Sequence, residues 1–133
     1  NENSLLWDNW KRDQVTELVG NLAKAIKNKS PEMLISCAVI PSAETAFLVA
    51  FQDWPGWLEN GIVDYVVLMN YTKNNQLAKE ITKSSLAQRG KGRVYIGIGN
   101  FLMKDDSKLL SEQEKIVESL NPDGIVYFSY DFL

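Results

Sequence analysis

Apolar residues recur at Val15, Leu18, Val19, Leu22 and Ile26. That i, i+3, i+4, i+7, i+11 stripe predicts an amphipathic helix, capped at its start by Asp8 or Asn9 and ended by Ser30-Pro31. The pattern then shortens. "MLISCAVIP", Met33 to Pro41, is an apolar run of strand length. "AETAFLVAF" reads as a short helix, and "DWPGWLENG" as a single helical turn around Pro55 and Gly56. Asn60-Gly61 punctuates the approach to a second strand, Ile62 to Asn70. A helical pattern from Asn75 to Gln88 carries Leu77, Ile81 and Leu86 and is stopped by Gly90 and Gly92. "RVYIGIGNF" supplies a third strand, Arg93 to Gly99. Ser111 with Glu114 three residues on forms a capping box for a helix whose apolar face is Ile116, Val117 and Leu120. "NPDG" turns the chain into a fourth strand, Ile125 to Tyr130.

The strands begin near positions 33, 62, 94 and 125, about one every 30 residues. Strands apolar on both faces, alternating with helices at that spacing, predict an α/β fold with a parallel sheet covered by helices. Eight such units make the roughly 250 residues of a (β/α)8 TIM barrel. Four βα units in one domain, residues 1–133, amount to half of one.

Parallel α/β folds place ligands at the carboxyl ends of their strands. Those ends are Pro41-Ser42, Asn70-Tyr71-Thr72, Gly99-Asn100-Phe101 and Ser129-Tyr130-Asp131. Each carries a polar group, and two carry a tyrosine. Amides, hydroxyls and aromatic rings suit a neutral sugar, which offers hydroxyls that donate and accept and C–H faces that lie on rings. "QDWPGW" adds Trp54 and Trp57 beside Gln52 and Asp53, although loop tryptophans also serve to cover a barrel rim. The candidate sugar contacts are therefore Asn70, Tyr71, Trp54, Asn100 and Tyr130. Asp131 leaves the last strand directly and Asp53 lies in the first long loop, so these are the candidate catalytic carboxylates. Glycoside cleavage needs two carboxyl groups ~5–9.5 Å apart, and no pair here declares that spacing. Asp64, at the amino end of its strand, is expected to cap or pair structurally. "GIGN" lacks the third glycine of a dinucleotide loop, Leu102 standing there, so close strand packing explains it better.

Composition narrows the classes. With 45% hydrophobic and 23% charged residues the chain is ordinary globular material. A net charge of -3 with scattered lysines and arginines argues against nucleic acid as a partner. Cys37 is the only cysteine, so no internal disulfide forms, and a small buried hydrophobe is its simplest role. The chain has no histidine, which removes the Ser-His-Asp triad and histidine zinc sites. Neither a metal nor a cofactor is expected. No apolar run reaches the ~18 residues of a membrane span.

"LWDNWKRDQVTELV", "QDWPGWLENGIVDYVVLMNYT" and "GIVYFSYDFL" together resemble the C-terminal half of the bacterial glycosyl-hydrolase-like family ten. Its opening motif is matched by Trp7, Trp10 and Arg12, and its middle motif by Asp53, Trp54, Trp57, Gly61, Val63, Asp64, Tyr65, Met69 and Tyr71. The resemblance implies barrel strands five to eight, with Tyr71 facing a sugar and the family's strand-four acids outside this chain. The compartment stays open, with a bacterial parent protein that is secreted, periplasmic or lipid-anchored as the candidate.

The expectation is a carbohydrate-active protein resembling a glycoside hydrolase, binding or hydrolysing an oligosaccharide or polysaccharide, with Asp131 or Asp53 assisting an acid supplied elsewhere. The alternatives are a noncatalytic glycan-binding or assembly module, and a stable fragment without independent function. Half a barrel exposes two strand edges and an inner face, so pairing with itself as a homodimer or with the missing half-barrel is expected.

Overall fold

A computed structural model describes residues 2–132. Its first helix, α1 (Glu2–Lys29), leads into strand β1 (Ser36–Val39) and two short helices, α2 (Ala43–Val49) and α3 (Trp54–Glu59). Strand β2 (Tyr65–Asn70), helix α4 (Asn75–Leu86) and strand β3 (Arg93–Ile98) follow. A 3-10 turn over Asn100–Met103 precedes helix α5 (Ser107–Glu118) and strand β4 (Gly124–Tyr127), and a last 3-10 turn covers Tyr130–Phe132. The strands form one sheet in the order β1-β2-β3-β4, every pair parallel. Four parallel strands alternating with helices are the α/β architecture that the spacing predicts, compatible with half a TIM barrel.

Both helices with sequence-assigned caps start one or two turns earlier than expected. Asp8 and Asn9 lie inside α1, where Asp8 pairs with Lys11 at 2.7 Å and Asn9 accepts from the Arg12 guanidinium. Polar groups satisfied by the next turn need not end a helix. Ser111 lies inside α5, because Asp106 one turn upstream accepts from the Leu109 amide at 2.9 Å and caps the helix there. The strands are shorter than the apolar runs that encode them. β4 stops at Tyr127, and Tyr130 enters the terminal 3-10 turn.

The two faces of the sheet differ sharply. Val39, Val66, Leu68, Val94, Ile96 and Ile98 are fully buried beneath the helices. On the opposite face, Tyr65, Val67, Met69 and Tyr95 are half-buried and Ser36, Ala38 and Val126 are exposed. A closed barrel packs that inner face with side chains from its other strands. The free edges are β1 and β4.

An aspartate clamp appears twice at the amino ends of the strands. Asp64 Oδ2 accepts from the Ile35 amide at 2.7 Å while its own amide donates to the Ile35 carbonyl at 2.8 Å. Asp123 Oδ2 accepts from the Val94 amide at 2.8 Å, and its amide donates to the Val94 carbonyl at 3.1 Å. Each clamp also holds a cation, Lys27 near the end of α1 at 3.1 Å and Arg89 in the turn after α4 at 3.5 Å. The expected structural role of Asp64 is met. The amide bond and Lys27 together hold its carboxyl below the ordinary range, the amide bond contributing most.

Candidate functional site

Register builds the site. Asn70 pairs with Ile98, and Ile98 with Tyr127, so the next residues along, Tyr71, Gly99 and Phe128, lie level at the carboxyl end of the sheet. Gly99 sits between the two aromatic residues. A Cβ there would stand 3.0 Å from Tyr71 Cβ and 3.1 Å from Phe101 Cε1. With no side chain in the way, Tyr71 and Phe128 meet above Gly99, ring centroids 5.7 Å apart and planes within 17°. Phe101, from the turn after β3, stands edge-on to both, at 5.8 Å from Tyr71 and 6.1 Å from Phe128. Gly97, one layer lower, brings β3 close to β2, since a Cβ there would lie 2.6 Å from the Leu68 carbonyl oxygen.

The three rings form a partly open aromatic corner, with Phe128 57% exposed. Partial burial pushes the Tyr71 phenol above its ordinary value, so at neutral pH its hydroxyl is protonated and can both donate and accept. Neighbouring rings in offset or edge-on contact are geometries that aromatic quadrupoles favour.

Three of the candidate sugar contacts are turned into the protein. Asn70 is buried on the helix-covered face, donating from Nδ2 to the Ala78 carbonyl at 3.1 Å and to Thr82 Oγ1 at 3.3 Å. Asn100 is fully buried and donates to the Ser129 carbonyl at 2.9 Å, which fixes the chain just beyond Phe128. Trp54 is fully buried within α3, and Trp57 donates to Thr16 Oγ1 at 2.9 Å, stapling α3 to α1. Tyr130 is 85% exposed beyond the sheet.

The two candidate carboxylates line different grooves. Asp53 caps α3 by accepting from the Gly56 amide at 3.1 Å, and it lines a groove of about 490 Å³ with Glu44, Phe47, Leu48 and Gln88. Asp131, on the terminal turn, lines one of about 360 Å³ with Lys104, Ser107, Leu110 and Phe132. Among the described residues no group of three or more Cys, Asp or Glu side chains is arranged to hold a metal. No described helix is long and apolar enough to cross a membrane.

Phe101 and Phe128 are what sequence reasoning passed over. Phe101 directly follows an assigned strand-end amide, and Phe128 lies inside the apolar run read as strand. Only pairing register makes Phe128 the neighbour of Tyr71.

A family model described as glycosyl hydrolase-like 10 matches residues 1–108. The chain belongs to this family. The match takes in α1 through the beginning of α5, including Tyr71, Gly99 and Phe101, while β4 and the terminal turn with Tyr130 and Asp131 lie beyond it. No curated protein and no solved structure matches the chain. Membership makes a glycoside-hydrolase-like, carbohydrate-related role the family-level statement. The resemblance in "QDWPGWLENGIVDYVVLMNYT" falls within the matched residues.

Proposed function

We propose that this chain binds glycan at the carboxyl end of its sheet as one half of a glycoside-hydrolase-like barrel. The observation that carries the reading is the aromatic corner of Tyr71, Phe128 and Phe101, which offers ring surface beside a protonated phenol. A sugar laid on Phe128 gives its C–H face to the ring and a hydroxyl to Tyr71. Tyr130 and Asp131 extend the rim outward as hydrogen-bonding groups. Asn70 and Asn100 act one step back, through α4 and the Ser129 segment, and Trp54 through the packing of α3.

Catalysis, on this reading, draws its acid pair from the other half of the barrel, with Asp131 assisting at the rim and Asp53 holding α3. The separation of Asp53 and Asp131 into two grooves favours a second reading, a noncatalytic glycan-binding module. A half-exposed inner face and free edges at β1 and β4 support association with the missing half or with a second copy.

Titration calorimetry of the 133-residue chain with soluble cellohexaose and chitohexaose tests the site. Binding that weakens about tenfold or more in Tyr71→Ala and Phe128→Ala is the expected result, the scale of one or two lost ring contacts. Absence of binding, or binding indifferent to both changes, refutes the reading. Light scattering across a concentration series tests association, and a monomer at high concentration counts against self-pairing.

A further inference from the structure

Trp7 and Trp10 lie well away from the aromatic corner in sequence and are not absorbed by it. Their indoles stack with centroids 4.9 Å apart and planes within 10°, although each is more than half exposed (58% and 51%). Lys11 carries the stack on, its Nζ lying 5.9 Å from the Trp7 ring and 4.0 Å from Phe51 while pairing with Asp8 at 2.7 Å. Arg12 anchors this part of α1 from beneath, donating to the Phe47 carbonyl at 3.1 Å and lying 4.0 Å over the Phe47 ring.

Two placements define what this surface faces. The Lys27–Asp64 bridge fixes the end of α1 at the amino side of the sheet, so its beginning lies toward the carboxyl side. Twenty-eight helical residues span about 42 Å against about 20 Å for the longest strand, so the first turns of α1 reach past the sheet on the side of the aromatic corner. At about 100° per residue, Trp10 stands about 180° round the helix from Val19, and Trp7 about 160° from Ala23. Val19 and Ala23 face the core. The indoles therefore point away from the sheet. A neighbouring barrel unit at the free β1 edge would meet the flank of α1 where Leu22 and Ile26 line a groove with Ser36 and Cys37, with Leu22 about 120° round the helix from Trp10 and about 60° from Trp7.

We infer that the Trp7–Trp10 stack is a second carbohydrate platform, on the outer wall, that holds a polysaccharide chain outside the cleft. The inference rests on the glycan reading of the corner. Leu6, one turn before Trp10, extends the apolar surface, but a protein or lipid occupant fits the rest less well. An apolar protein face would bury the Asp8–Lys11 pair at a desolvation cost. An anionic membrane would meet Asp8, Asp13 and Glu17 on the same helix, with Arg12 already turned inward. A sugar ring suits both halves of the surface, lying on indole while its hydroxyls reach Asp8 and Lys11.

The test is co-sedimentation of the full chain with insoluble cellulose, chitin and peptidoglycan, with tryptophan emission recorded alongside. Retention on at least one of them, reduced about tenfold or more in the double variant Trp7→Ala/Trp10→Ala, is the expected result. Trp54 and Trp57 are buried, so protection of the emission from acrylamide on binding reports the exposed pair. Both substitutions lie on an exposed face and introduce the best helix former, so the fold is retained. Equal sedimentation of wild type and double variant, including no retention of either, overturns the inference. So does a double variant that changes only the solution mass, which would mark a protein-contact surface. Soluble hexasaccharide binding lost in Tyr71→Ala, together with equal sedimentation of wild type and double variant, leaves the cleft standing while the platform falls. The reverse pattern removes the cleft alone.

Discussion

Replacing Asp64 by alanine removes the acceptor for the Ile35 amide and the partner of Lys27. A charged acceptor on a backbone amide contributes about 1.5–3 kcal/mol. The Lys27 pair, with side chains 36% and 31% exposed, adds no more than about 0.5 kcal/mol. The reciprocal bond from the Asp64 amide to the Ile35 carbonyl survives, so the register between β1 and β2 is weakened rather than erased. We expect a loss of about 2 kcal/mol at pH 7, read from urea unfolding at unchanged m, and a fall in Tm of about 8 °C for a chain of this size. Lys27→Ala should cost about 0.5 kcal/mol or less. The pH dependence carries the sharper test. The Asp64 pKa is lowered in the folded chain, so its contribution is fully present above the unfolded value of about 3.9 and disappears as pH falls through the folded value. Wild type and Asp64→Ala should therefore differ fully at pH 6–7, and their curves should converge toward pH 2. A loss below about 0.5 kcal/mol at pH 7, or the same loss at pH 2 as at pH 7, would refute the clamp argument.

Two glycines separate stability from binding. Gly97→Ala sets a Cβ 2.6 Å from the Leu68 carbonyl oxygen, a backbone atom that cannot swing aside, so thermal unfolding should show a loss of about 1–3 kcal/mol. Gly99→Ala meets Tyr71 and Phe101 at 3.0–3.1 Å, where rings can shift by a few tenths of an ångström. Its stability should change by less than about 1 kcal/mol, while calorimetric affinity for hexasaccharide falls about tenfold as the rings part. Equal behaviour of the two variants in both assays would contradict this division.

The architecture was legible because it rests on long-period signals. Strand starts about 30 residues apart and runs such as Tyr65 to Met69 require only that apolar stretches be buried between helices. The caps were less legible because a capping residue is defined by what its side chain bonds. Ser111 with Glu114 has the right spacing, but Asp106 captures the Leu109 amide first, and Glu114 faces Tyr127, where burial and then the nearby carboxylate push that phenol to about 12. The site was legible only in part. Strand-end position identified Tyr71 correctly as a residue of the carboxyl rim, but it could not say which way a side chain turns. Asn70 follows the buried alternation of Val66 and Leu68 and so meets α4, while Tyr71, one residue later, meets Phe128.

The two tyrosines illustrate the limit most clearly. Tyr71 follows Asp64 by the same seven residues that separate Tyr130 from Asp123, and both aspartates clamp the preceding strand, so sequence makes the tyrosines equivalent. Pairing breaks that equivalence. The residue after Asp64 lies level with Arg93, but the residue after Asp123 lies level with Tyr95, two residues further along β3. β4 is thus advanced by about 6.6 Å, a stagger of the kind that curving a sheet toward closure requires. The advance carries Tyr130 past the rim and sets Phe128 opposite Tyr71. If the aromatic corner is the sugar platform, Tyr71→Ala should weaken hexasaccharide binding about tenfold and Tyr130→Ala by no more than about threefold, since Tyr130 is exposed beyond the sheet and has no ring partner among the described residues to position it. Equal losses would mean that the sequence repeat, and not the stagger, defines the binding edge.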